Sequence, residues 1–111
     1  MRSTQLKYMI KDTEGTEYVP LEDIMRLEAC GNYTTLYLAD KTKIVQSSPL
    51  GSHWKRLEYT GQFFRISRSN IVNIHYVRRI NKNNYVAMIS GALLGIKKEL
   101  VATLSVMIAA L

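Results

Sequence analysis

The stretch Phe63-Phe64-Arg65-Ile66-Ser67-Arg68-Ser69-Asn70-Ile71-Val72-Asn73 places two guanidinium groups, two hydroxyls and two amides among aromatic and aliphatic neighbours, without a carboxylate. The apolar residues can anchor such a segment in a core while its donors face outward. Rigidly held cationic forks suit an anion, and a row of phosphates with base edges behind them is the commonest target of that kind. Other chemistries lack their parts. Cys30 is the single cysteine, which excludes an intrachain disulfide and a thiolate-rich zinc site. His53 and His75 are far apart, with no carboxylate three or four residues from either, so a zinc site is disfavoured as well. Paired carboxylates, a Ser/His/Asp grouping and a phosphate-cradling glycine loop are missing at workable spacing. The sequence therefore reads as a binding protein, not an enzyme, and it calls for no cofactor.

Charge distribution points the same way. The chain carries 15 Lys and Arg against 9 Asp and Glu, a formal charge of +6. From residue 60 onward Arg65, Arg68, Arg78, Arg79, Lys82, Lys97 and Lys98 face a single acid, Glu99, whereas the first 30 residues hold more acids than cations. A polyanion is drawn to the basic part, provided the fold gathers those cations. The plainer explanation is a solvated basic face that aids solubility. At 111 residues and 47% hydrophobic the chain suits one globular domain, 1–111, with a modest core. Arg2 precedes a polar, amphipathic start with no signal-like apolar run, so a cytoplasmic protein is expected and no membrane partner.

The elements that must position the donors read mostly as strands. Gln5 to Lys11 partly alternates and predicts a first strand, and Glu17-Tyr18-Val19, closed by Pro20, a short edge strand. Ile24 to Ala29 and Thr34 to Leu38 predict strands joined at Gly31-Asn32, a hairpin signal, with Thr42 to Gln46 next in a meander. Ser47-Ser48-Pro49 predicts a helix entry with a serine N-cap. Leu50, Trp54 and Leu57 then form a helical stripe in which Trp54 is core. Tyr76 to Ile80 and Tyr85 to Ile89 predict two more strands around an Asn81–Asn84 turn. From Lys98, Leu100, Val101, Leu104, Met107, Ile108 and Leu111 predict a terminal helix that packs on the sheet or leaves an apolar stripe for a partner chain. The expected fold is mainly β: an elongated domain of short antiparallel strands, one short internal helix and a C-terminal helix.

Asp23-Ile24 to Glu28, Gly31-Asn32-Tyr33, the serine-leucine element before the helix, the Phe63–Asn73 run and Lys97-Lys98 together resemble the LytTR family of DNA-binding domains, over roughly Leu6 to Leu104. The Phe-Phe-Arg-Ile-Ser-Arg-Ser-Asn-Ile-Val-Asn run is the most specific part. The resemblance implies an output domain of LytR/AlgR-type bacterial response regulators, one that inserts loops into successive major grooves of double-stranded DNA at direct repeats upstream of promoters. It implies base-reading loops at Gly31-Asn32-Tyr33-Thr34, at Arg68 and from Lys97, and phosphate contacts by Arg65, Ser69, Asn70, Lys98 and Arg78 or Arg79. It also implies a receiver domain or a sensor histidine kinase pathway as upstream partner, and a homodimer on DNA. The chain departs from the family at Gly95-Ile96-Lys97-Lys98, where arginines are usual; lysine is a point charge without the bidentate fork.

Each residue has a plainer explanation too. Arg68 could pair with Glu28 or Glu58 instead of guanine O6 and N7. Arg65, alternating with Phe64 and Ile66, could brace the turn. Asn73 fits a role satisfying backbone groups. Asn32 suits a turn, and Tyr33 and Thr34 suit either role. Lys97 and Lys98 could be a solvated first turn, at a mild cost from the helix dipole. Cys30 is expected to be a buried, inert thiol. The competing function is a protein-interaction module that uses the apolar terminal helix, with an incidental basic surface.

Overall fold

Alternation at the start of the chain builds a hairpin. In the computed structural model, which describes residues 6–111, β1 (Lys7–Asp12) pairs with β2 (Gly15–Pro20). Tyr8, Ile10 and Val19 face the core, while Met9 and Tyr18 stay exposed. Arg2, and Gln5 as the expected first strand residue, lie outside the described residues. β2 is longer than the three residues expected, because the turn is tight. Asp12 Oδ1 accepts from the Glu14 and Gly15 N–H groups, and pairing starts at once with Asp12 opposite Gly15. Pro20 is tolerated as the last residue of an edge strand.

A 3-10 turn, Leu21–Asp23, leads into β3 (Ile24–Cys30), β4 (Tyr33–Leu38) and β5 (Lys43–Gln46). Gly31, at φ +60°, opens the two-residue turn between β3 and β4, a conformation that glycine adopts without a side-chain penalty. After α1 (Leu50–Leu57), β6 (Phe63–Arg65) and β7 (Asn70–Asn73) complete a five-stranded antiparallel sheet in the order β5-β4-β3-β7-β6. The 3-10 turn Ile74–Tyr76 then delivers β8 (Val77–Asn81), β9 (Tyr85–Met88) and β10 (Leu93–Gly95), a second antiparallel sheet. A 3-10 turn at Lys98–Leu100 runs into α2 (Val101–Ala109). The fold is mainly β with the short internal and C-terminal helices expected. It is drawn out in two directions, as a slab of 44 × 43 × 24 Å.

The two faces of the large sheet bury different cores. On one face Ile24, Leu27, Leu36, Phe63 and Ile71 pack with the β1-β2 hairpin and with Leu50 and Leu57 of α1. On the other, Val72 and Phe64 pack with Ile66, Ile74, Val86, Met88, Leu94, Ile96 and Leu104, joining the small sheet and α2 to the slab. Asn73 behaves as expected of a buried amide. Its Nδ2 donates to Ile24 O and its Oδ1 accepts from His75 N–H.

Helix α1 differs from expectation in two ways. Its N-cap is Pro49, not a serine, and no side chain caps it. Ser48 is instead engaged with His53 Nε2 at 2.7 Å. The buried stripe is Leu50, His53 and Leu57, with Trp54 only partly buried at its edge. His53 fits inside because both ring nitrogens are satisfied, Nδ1 by the Tyr8 hydroxyl at 2.5 Å and Nε2 by Ser48. A neutral imidazole supplies one donor and one acceptor for such a pair. Burial, and secondarily the Arg56 charge, hold its pKa down to about 4. The unfolded chain therefore takes up a proton that the folded protein refuses as pH falls below the ordinary histidine value. This contribution to stability is full above that value and is lost on acidification toward about 4. Between about pH 7 and pH 5 the loss should be on the order of 2 kcal/mol or less. Urea unfolding at the two pH values would measure it, and His53→Gln should flatten the difference.

Candidate nucleic-acid interface

The hairpin β6-β7 presents its turn as a fixed object. Ile66 is wholly buried, and its N–H donates to Asn70 O at 3.0 Å, closing the loop Ser67-Arg68-Ser69. Ser67 Oγ accepts from Ser69 N–H at 3.2 Å. Arg65 folds back beneath the turn, its Nε donating to Ser67 O at 3.2 Å and its Nη2 to Arg68 O at 2.9 Å. A guanidinium has five N–H donors in a rigid fork, so Arg65 braces the turn and keeps further donors and its charge. Arg68 stands exposed at the tip. It makes no ion pair among the described residues; Glu28 is engaged elsewhere, with Arg26 at 3.8 Å and the Tyr37 hydroxyl at 2.9 Å.

Two other segments flank this turn. On one side Ala29 N–H donates to Ser69 O at 2.8 Å, and Glu28 sits opposite Asn70 in the β3-β7 register. The β3-β4 tip, with exposed Asn32 and Tyr33, is thus fixed beside Ser69. On the other side Lys97 N–H approaches Ile66 O at 3.4 Å, and Ile96 N–H donates to Asn84 O at 3.0 Å. Arg65, Ser67, Arg68, Lys97 and Leu100 line an open recess of about 400 Å³ that holds three cations and no carboxylate. Lys98 is exposed at the start of the last 3-10 turn. Backbone hydrogen bonding therefore sets three polar segments, distant in sequence, side by side. Fixed donors of one charge sign are the arrangement that phosphate oxygens recognise.

Not every expected residue shares this surface. Thr34 is fully buried and donates to Ser48 O at 2.8 Å, so its hydroxyl serves the link to α1 and it is removed from the reading set. Asn70 is half-buried, and its Oδ1 lies 3.5 Å from Arg26 Nη1. Cys30, expected to be buried, is exposed at the hairpin tip, because β3 runs past the core edge before it turns. Ser67, expected only as one donor of the Phe63–Asn73 run, and Leu100, expected only on the apolar stripe of the terminal helix, also line the recess.

A chain of hydrogen bonds from Tyr8 through His53 to Ser48 was also unforeseen. It superficially has a nucleophile, a base and an orienting group. With its pKa near 4 and its ring buried, His53 is a poor general base at neutral pH. Among the described residues there is no group of three or more His, Cys, Asp and Glu side chains that could hold a metal, and no helix is long and apolar enough to cross a membrane.

The sequence matches the LytTr DNA-binding domain over residues 14–104. No curated protein matches the chain. Among solved structures, a LytTr DNA-binding domain from Bacillus cereus superposes with a TM-score of 0.70 at 20% identity, covering 94% of this chain and 97% of that one. At this identity the likeness concerns the fold.

Proposed function

The chain belongs to the LytTr DNA-binding domain family, and from that premise we propose that it regulates transcription by reading duplex DNA with three loops set in successive major grooves. DNA binding is the property of the family; the assignment of roles is our reading. Arg68 at the tip of the braced turn reads a base, with Asn32 and Tyr33 on one side and Lys97 on the other. Arg65, Ser69, Asn70 and Lys98 hold phosphates. The single observation that carries this reading is Arg68, exposed and without an ion pair among the described residues, at the tip of a turn braced by the Arg65 guanidinium at the Ser67 and Arg68 carbonyls and by Ser67 Oγ accepting from Ser69 N–H. A preorganised guanidinium loses little freedom on pairing with guanine O6 and N7. The protein would act in the cytoplasm, under a receiver domain or a sensor histidine kinase pathway, with two copies on adjacent direct repeats.

Selection from a randomised duplex library tests the readout. Arg68→Ala should cost about 1–3 kcal/mol on the selected site and relax preference at one base position. Lys98→Ala should weaken all sequences alike. If Arg68→Ala kept the wild-type preference at every position, Arg68 would not be the reading residue.

A further inference from the structure

Helix α2 carries no charge: residues 101–111 contain no charged side chain and only two hydroxyls, Thr103 and Ser105, yet only Leu104 is fully buried, Val106 is 69% exposed and Leu111, just beyond the helix, 61%. A helix with so little polar surface has only a weakly solvated outer face and suits a further apolar neighbour. Along one flank of α2 the structure leaves an open groove of about 290 Å³, lined by Val77, Arg78, Arg79, Ile80, Ser105, Ile108 and Ala109. Its floor is aliphatic. Its rim carries two exposed arginines brought to the same groove by an irregularity in the β8-β9 register between Val77 and Arg79. A bulge of this kind re-aims a side chain that regular alternation would send to the other face. Neither arginine has a carboxylate partner among the described residues.

We propose that this groove docks an acidic, amphipathic segment of another protein, its leucine-type side chains on the aliphatic floor and its carboxylates on Arg78 and Arg79. Charge complementarity selects this occupant. A second copy placed two-fold symmetrically on the same patch would bring the arginine pairs of both copies into one interface. DNA offers phosphates but nothing for the aliphatic floor. The groove is also set apart from the cationic recess: Ile108 lies eight residues beyond Leu100, roughly 12 Å along the helix at 1.5 Å per residue. The inference stands independently of the loop assignments for DNA.

The probe is a labelled synthetic peptide with leucines at helical spacing and glutamates between them, titrated by fluorescence anisotropy into the full chain. A version with glutamine for every glutamate serves as control. The acidic peptide should bind saturably and at least about tenfold more tightly than the glutamine version. Arg78→Glu/Arg79→Glu, and separately Ala109→Glu at an exposed position, should each weaken it by about tenfold or more, while Arg68→Ala leaves it unchanged. Circular dichroism of each variant should match the wild type. No saturable binding, or binding that both groove variants retain, would overturn the proposal. So would a dimer of the chain alone that Ala109→Glu dissociates, which would give the groove to a second copy. A loss of DNA binding by Arg78→Glu/Arg79→Glu without any peptide binding would give the arginines to DNA.

Discussion

Replacing Phe63 by alanine is expected to cost the domain about 3–5 kcal/mol, a large part of the stability available to a chain of this size. Phe63 is 1% exposed, begins β6 and packs in the core beneath the large sheet. Its loss opens a cavity in the core it shares with Ile71 and Leu57, which a short strand cannot close without giving up its pairing with β7. Phe64, its neighbour, points to the opposite face and is half-buried, so Phe64→Ala should cost clearly less. Urea unfolding would separate the two, with a midpoint shift of roughly 2 M for Phe63→Ala at the slopes typical of small domains. Equal costs at the two positions would contradict the division of the sheet into two differently packed faces.

Affinity for duplex DNA should collapse as salt rises. If about six phosphates are neutralised, log K falls with log salt at a slope of roughly −0.9 per phosphate, so a fourfold rise in salt weakens binding on the order of a thousandfold. Arg65, Arg68 and Lys97 line one recess, the exposed Lys98 follows Lys97 in the chain, and the Glu28 carboxylate is occupied by Arg26 and Tyr37. Tyr37 reports the same contact: burial, and then the bond to Glu28, raise its pKa. Titrations at several salt concentrations give the slope, and Lys98→Ala should reduce it by about one. A slope near zero would mean that phosphates are not the attraction.

Local chemistry made much of this fold legible. Gly31-Asn32 marked a hairpin, Leu50 and Leu57 marked a helical face, and the alternation from Thr34 to Leu38 marked a strand. Thr34 shows how the same signal can be overlooked. It shares its spacing with Leu36 and Leu38 and so belongs inside, but a threonine beside a turn reads as polar surface. His53 was missed because a stripe counted from apolar residues alone passes over an imidazole whose partners, Tyr8 and Ser48, come from other elements. Arg65 could be recognised as either brace or contact, and only the carbonyl positions of a folded turn reveal the brace. The exposed side of α2 was open to two expectations because helical periodicity does not say how many neighbours a helix finds.

Strand β7 sends Ile71 into one core and Val72 into the other, and it pairs with β3 across nearly half the chain, Leu27 opposite Ile71 and Arg26 opposite Val72. Neighbouring hairpins can close early because their loops are short, whereas this pairing requires a long intervening segment to be ordered first. The turn bearing Arg68 leads into that strand. A nascent or partly melted chain could therefore contain the β3-β4 hairpin and α1 while lacking the aligned set of loops, whose alignment waits on a long-range pairing of the sheet.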